Sequence, residues 1–259
     1  MCLIFIALKQ HPRYKLIVAA NRDEFYNRRT AAAGFWPDHP GVLGGRDLEA
    51  QGSWLGMNRA GAIAMVTNFR DPTNIDPSAP SRGALVSDYL TRAHDPMTYL
   101  KGVQARARRY NGFNLVVGDP DKLWYFSNYA QGVTEMTAGI FGLSNHLLET
   151  PWPKVRRGKD KLAALLASEE IVPDKLFRLL YDDGRAPDEQ LPDTGIGLER
   201  ERALSSMFIK TNGYGTRCST VILVDYENRV TFSERIFDLQ TFEHQTQDFI
   251  FNIVNPTLV

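Results

Sequence analysis

Apolar residues occupy both phases of the first segment, Cys2 to Leu8: Leu3, Phe5 and Ala7 alternate with Ile4, Ile6 and Leu8. A second run, Lys15 to Asn21, has the same character, and the polar link between them holds His11, Pro12 and Arg13. Two such runs around a short connection predict a β-hairpin. A hairpin on a surface shows one polar face. This one does not, so it is expected inside a layered fold, covered on both sides. Pairing Leu8 with Lys15 sets Cys2 opposite Asn21; a slip of one residue sets it opposite Arg22.

Phe25 to Pro40 reads as an aromatic loop, and Gly44-Gly45 and Gly52 to Gly56 as glycine-rich turns. No Gly-Lys-Ser/Thr follows them, so they do not make a phosphate-binding loop. Trp54 to Met57 and Gly61 to Asn68 predict a second hairpin, and prolines 72, 77 and 80 mark a loop after it. Helices are predicted from Ser81 to about Ala93 and from Asp95-Pro96 to Arg109, the second with Asp95 as its N-cap. Phe113–Val117, Leu123–Phe126, Gly132–Met136 and Gly139–Leu143 predict a meander of four strands. Helices over Trp152–Leu166 and Pro173–Tyr181 follow, then a loop and a weak helix over Leu198–Phe208. Strands over Val221–Asp225, Arg229–Ile236 and Thr246–Ile253 close the chain. Strands and helices fall in blocks rather than alternating, which predicts an α+β fold. Two antiparallel sheets stacked face to face with helices outside each, a four-layer αββα sandwich in one domain over residues 1–259, would cover every strand that is apolar on both faces.

The chain has 259 residues, 43% of them hydrophobic, with 30 basic and 30 acidic residues and no formal net charge. That balance argues against nucleic acid or an anionic membrane as the main partner. Two cysteines do not make a disulfide framework, and a reducing compartment fits them. No apolar run approaches the roughly 18 residues of a membrane span, and no basic segment precedes the short apolar start. A cytoplasmic location is therefore expected. The five histidines show no metal-ligand spacing, so neither metal nor cofactor is expected. His146 is a pocket wall or haem-ligand candidate; His11, His39, His94 and His244 read as surface residues.

The chemistry centres on Cys2. If Met1 is trimmed, Cys2 gains a free α-amine with a reference pKa of about 7.7–8.0. That amine can take the thiol proton, so the nucleophile carries its own base. Arg22 favours the thiolate, and Asp23 can hold the ammonium or orient the arginine. The same small thiol also suits a core strand, and that alternative stays open.

Ala19-Ala-Asn-Arg-Asp-Glu-Phe-Tyr, Gly52-Ser-Trp-Leu-Gly, Asn111-Gly-Phe-Asn-Leu, Gly142-Leu-Ser-Asn-His-Leu-Leu-Glu-Thr-Pro-Trp and Tyr214-Gly-Thr-Arg resemble the NRDE family, also called transport and Golgi organisation protein 2. The resemblance spans essentially the whole chain. It implies a soluble cytoplasmic or organellar protein whose family has no settled reaction, with haem handling and lipid or acyl-CoA metabolism among the suggested roles. A more distant resemblance is to N-terminal-nucleophile hydrolases of the bile-salt hydrolase and penicillin V acylase type, which also begin Met-Cys and share the αββα sandwich. It implies Cys2 as nucleophile, Asp23 beside it, Asn145 and Asn68 as oxyanion donors, and Arg217 as a charge at the site. In those enzymes an arginine lies three residues before the aspartate; here that position is Ala20, and Arg22 adjoins Asp23 instead. Turn chemistry is the other reading of both asparagines, and a partner for an acid such as Glu234 is the other reading of Arg217. Asn21, Phe25, Trp54 and His146 are expected around the substrate.

Two functions follow as expectations. One is an N-terminal-cysteine hydrolase of a small-molecule amide or thioester. The other is a non-catalytic carrier or chaperone for haem or an acyl lipid.

Overall fold

The first hairpin forms as its doubled apolar pattern demands. In the computed structural model, which describes residues 2–92, 95–168 and 170–254, β1 (Cys2–Leu8) is buried at every position and pairs with β2 (Tyr14–Phe25). The register is the one-residue alternative: Leu8 meets Leu16 and Cys2 meets Arg22. The link closes through the Lys9 amide on the Lys15 carbonyl, with Lys9 in the left-handed region at φ 54°.

The chain then builds a second sheet from β3 (Thr30–Trp36), β4 (His39–Asp47), β5 (Leu55–Asn58) and β6 (Ile63–Asn68). Two expectations are corrected here. Residues 30–36 and 39–47 are strands rather than an aromatic loop, and Gly44-Gly45 lies within β4. A side chain at Gly44 would stand 2.7 Å from the Leu55 carbonyl oxygen, so the β4–β5 approach requires glycine. Helices α1 (Gly83–Thr91) and α2 (Pro96–Arg106) follow, and the Asp95 carboxylate caps α2 by accepting from the Thr98 amide. Ala93 and His94, included in the sequence reading, lie outside the described residues.

Strands β7 (Phe113–Asp119), β8 (Lys122–Ser127) and β9 (Val133–Met136) extend the second sheet, giving the order β3-β4-β5-β6-β7-β8-β9. The fourth strand of the expected meander, β10 (Gly139–Leu143), leaves it and pairs with β1 of the first sheet. After α3 (Pro153–Leu166), α4 (Pro173–Leu180) and α5 (Leu198–Leu204) come β11 (Lys210–Thr211), β12 (Tyr214–Asp225), β13 (Arg229–Phe237) and β14 (His244–Asn252). The first sheet runs β10-β1-β2-β12-β13-β14, with β11 beside β12. Strand β12 begins seven residues before the expected start, because the polar stretch from Tyr214 pairs with the end of β2.

Three apolar clusters make the four layers. Ile4, Ile6, Leu16 and Val18 pack between the sheets against Leu43, Leu55, Met57 and Met65. Leu3, Phe5, Ile17 and Ala19 face α3 and α4 through Val155, Leu162 and Phe177. On the far side, Ala64, Val66, Leu115 and Val117 meet Leu85, Leu100 and Val103 of α1 and α2. The arrangement is the expected αββα sandwich, and β1–β2 is its centre.

Candidate active site

Opposed residues of an antiparallel pair share a face. The Cys2–Arg22 pair therefore points with Ile4 and Ala20 into the space between the sheets. On the other side of β2, Arg22 pairs with Cys218, so one guanidinium separates the two thiols along the ladder. Arg22 is buried, donates to Thr30 Oγ1 at 3.2 Å and has its Nη2 4.0 Å from Glu24 Oε2. Burial pushes the Cys2 thiol up to about 11; Asp23 and Glu24 push the same way, and the pull of Arg22 does not offset them. Cys218 packs in the same cluster, and burial raises its thiol well above the usual value, with Glu234 next in effect.

The alternate residues of β2 face the helices. The Asn21 amide donates to the carbonyls of Leu180 (3.1 Å) and Met207 (2.9 Å), while its oxygen accepts from Ser219 Oγ at 2.6 Å. It is a buried strut between sheet and helical layer, not the pocket residue expected. Asp23 is 1% exposed and accepts from Thr216 Oγ1 at 2.7 Å, where β12 bulges between Thr216 and Cys218. Burial raises its carboxyl pKa, opposed first by Lys154.

Lys154 is a site residue that the sequence reading missed. It is fully buried in the first turn of α3, donates to the Leu204 carbonyl at 2.9 Å and completes the last turn of α5. Burial lowers its pKa to about 8, with Asp23 the main opposing influence. The signal was present: the buried stripe Gly158, Leu162 and Leu166 of α3, extended back by four, lands on Lys154.

Beside this cluster opens a cleft of about 680 Å³, mostly apolar in its lining. Phe25, 60% exposed, forms part of its rim and meets Tyr214 edge to face at 5.2 Å. Glu24, Asn68, Phe69, Arg70 and Arg82 line it as well. The Asn145 amide donates to the Asn68 carbonyl at 3.1 Å, and the Asn145 carbonyl accepts from the Arg70 amide. Asn145 thus shapes the Asn68 turn from behind, and Asn68 is the one of the two that lines the cleft. Arg70 pairs with Glu201 at 2.8 Å and lies over the Trp152 ring.

Three expected site residues sit elsewhere. Trp54, in the bend just before β5, packs between the sheets in the same cluster as Leu43 and Met57. His146 stands behind Phe69, ring centroids 4.8 Å apart, with Nδ1 2.8 Å from Thr150 Oγ1. Arg217 donates to the main-chain carbonyls of Phe25, Tyr26 and Arg28, so its guanidinium braces the turn after β2. His11 is also buried rather than on the surface, and its ring stacks on Tyr14 at 5.4 Å. Among the described residues no group of histidine, cysteine or acidic side chains gathers as a metal site, and no helix is long and apolar enough to cross a membrane.

Fold and site together define an αββα sandwich with a cysteine at the head of a central strand, an arginine opposite it and an apolar-walled cleft alongside. Residues 1–239 match the family model described as Transport and Golgi organisation 2. The chain belongs to that family. It is 39% identical to the Transport and Golgi organization protein 2 homolog of Homo sapiens, over 96% of this chain and 99% of that one. The corresponding Mus musculus protein is 38% identical over 98% and 99%, and the Drosophila melanogaster protein 33% over 90% and 91%. Among solved structures, a mutant conjugated bile acid hydrolase from Clostridium perfringens aligns with a TM-score of 0.49 at 10% identity, covering 98% of this chain and 92% of that one. A Caenorhabditis elegans ortholog of N-acylethanolamine-hydrolyzing acid amidase also scores 0.49, at 9% identity over 86% and 92%.

Proposed function

We propose that the protein hydrolyses an acyl amide or thioester, with Cys2 as the attacking group once Met1, which lies outside the described residues, has been removed. The observation that carries this reading is the pairing of Cys2 with Arg22 on one face of the central hairpin, with the buried carboxylate of Asp23 one step further along β2. In the proposed cycle the new α-amine takes the thiol proton and the sulfur adds to the substrate carbonyl. Asp23 holds the ammonium, and Arg22 steadies the charge on sulfur. The Asn68 side chain donates to the developing oxyanion; one such donor is worth about 2.7–4 kcal/mol elsewhere. Collapse expels the amine or thiol with the ammonium's proton, and water then cleaves the acyl–sulfur bond to give the acid and the free thiol. Arg217 and Asn145 hold the turns that present Phe25 and Asn68. The test is to incubate the Met1-free protein with a fluorogenic decanoyl amide and a decanoyl thioester and examine Cys2 by peptide mass. The reading expects an acyl adduct on Cys2, and turnover that Cys2→Ala abolishes. Turnover that survives Cys2→Ala sinks it.

A second reading, a carrier for an acyl lipid or haem, has its own support. Burial holds the thiol near 11, which leaves it a poor nucleophile at neutral pH. The cleft walls are also mostly apolar. A carrier binds these ligands without consuming them, and binding survives Cys2→Ala.

A further inference from the structure

The charges around the cleft are unevenly matched. Three carboxylates line it, and each has protein partners: Glu24 lies between Arg22 (4.0 Å) and Arg28 (3.9 Å), Asp71 accepts from Tyr129 Oη at 2.6 Å, and Glu199 pairs with Arg202. Of the three cations, Arg70 is paired with Glu201, and Arg200 is exposed to solvent. Arg82 differs. Its Nη1 donates to the Gly112 carbonyl at 3.0 Å, and among the described residues no carboxylate lies within ion-pair distance of it. A guanidinium has five N–H donors in a flat fork that matches a carboxylate edge on. Arg82 is fixed at the head of α1 and half-buried; burial lowers its pKa, opposed first by Glu24, which lies beyond ion-pair distance. Leaving a half-buried cation without a counter-charge costs stability, and a ligand bearing the missing anion recovers that cost on binding. The rest of the wall asks for a different chemistry: Phe25, Phe69, Ile75, Ile196 and Leu204 offer apolar surface for a chain or ring.

We infer that Arg82 is a specificity-determining residue that pairs with a carboxylate of the ligand, so that the cleft prefers an apolar acyl compound carrying one carboxylate over its neutral counterpart. This deepens the proposed hydrolase reading and rests on the same cleft, but recognition by Arg82 does not require bond cleavage.

The experiment separates the two. In Cys2→Ala protein, calorimetry compares N-decanoylglycine with N-decanoylethanolamine, which differ in the carboxylate. The expected result is at least a tenfold tighter Kd for the glycine compound. That ratio should fall to about one in Cys2→Ala/Arg82→Met and be partly restored in Cys2→Ala/Arg82→Lys. Equal affinities for the two ligands, absence of binding by either, or a preference that persists in Arg82→Met overturns the inference. Turnover of the same pair by the Met1-free protein is read separately. A retained binding preference with no turnover of either compound overturns the hydrolase reading and leaves carboxylate recognition standing; turnover of both at equal kcat/KM, with equal Kd values, does the reverse.

Discussion

Cys2 and Arg22 form a direct cross-strand pair, and one step along β2 in either direction, to Asn21 or Asp23, turns the side chain to the opposite face of the sheet. Four adjacent motif residues therefore serve different places. Asn21 ties the sheet to the helical layer and Asp23 is held by Thr216 of β12, while Arg22 sits beside the thiol and Glu24 turns toward the cleft.

Asn21 gives the first prediction. Asn21→Asp keeps the shape but exchanges two N–H donors for oxygen facing the carbonyls of Leu180 and Met207. Each buried acceptor left unsatisfied costs about 1–3 kcal/mol, so the loss should reach at least about 2 kcal/mol in urea denaturation. A loss below about 1 kcal/mol contradicts the strut assignment.

Lys154 predicts a pH dependence. Its folded pKa of about 8 lies below the ordinary value of 10.5. Between these two values the unfolded chain holds a proton that the folded chain has shed, so stability rises with pH across the window. Below about 8 both states are charged, and the cost of burying the cation is present in full. The stability of the native protein relative to Lys154→Met should rise by roughly 3 kcal/mol between pH 8 and 10.5. A flat difference across that range refutes the assignment.

The helix seat on β1 is equally testable. A methyl group at Gly158 would lie 1.9 Å from Phe5 Cζ, because α3 rests directly on that ring. Alanine gains about 1 kcal/mol of helix propensity over glycine, but overpacking a core costs about 1–3 kcal/mol. Gly158→Ala should lower the denaturation midpoint, and Phe5→Leu in the same chain should recover part of the loss. A stabilised Gly158→Ala protein would show that α3 does not sit where described.

Thiol reactivity tests the proposed processing. With its pKa near 11, Cys2 in a chain that retains Met1 is about one part in ten thousand thiolate at pH 7, against about 3% for a free cysteine. Iodoacetamide labelling of Cys2 at pH 7 should therefore run roughly three hundredfold slower than that of free cysteine and climb steeply with pH. The Met1-free chain should label faster. Equal rates for the two forms remove the reason for assigning a base role to the new amine.

Local pattern carried much of this structure in the sequence. The doubled apolar phases of residues 2–8 and 15–21 announced a strand pair covered on both sides, and Asp95-Pro96 announced a helix start. The register of that pair was left between two choices because it depends on how tightly the link at Lys9 closes, which side-chain pattern does not encode. Strands β3 and β4 were hidden by Ala31-Ala-Ala-Gly34 and Gly44-Gly45, which have weak strand preference and are held by neighbours instead: Trp36 Nε1 donates to the Gly44 carbonyl at 2.9 Å. The site was half legible. Cys2, Arg22 and Asp23 are close in sequence or across a hairpin. Lys154 and Arg82 reach the same region from distant helices, and only tertiary packing brings them there.

The crossing of β10 onto β1 carries a consequence in time. The outer edge of β1 stays uncovered until residues 139–143 have been made, and β2 waits for β12 longer still. At a synthesis rate of about 5–20 residues per second, the leading strand spends on the order of ten seconds outside its final setting. An aminopeptidase working at the ribosome can act on the nascent chain within that interval. Mass analysis of nascent chains halted before and after residue 143 would register whether trimming falls within it.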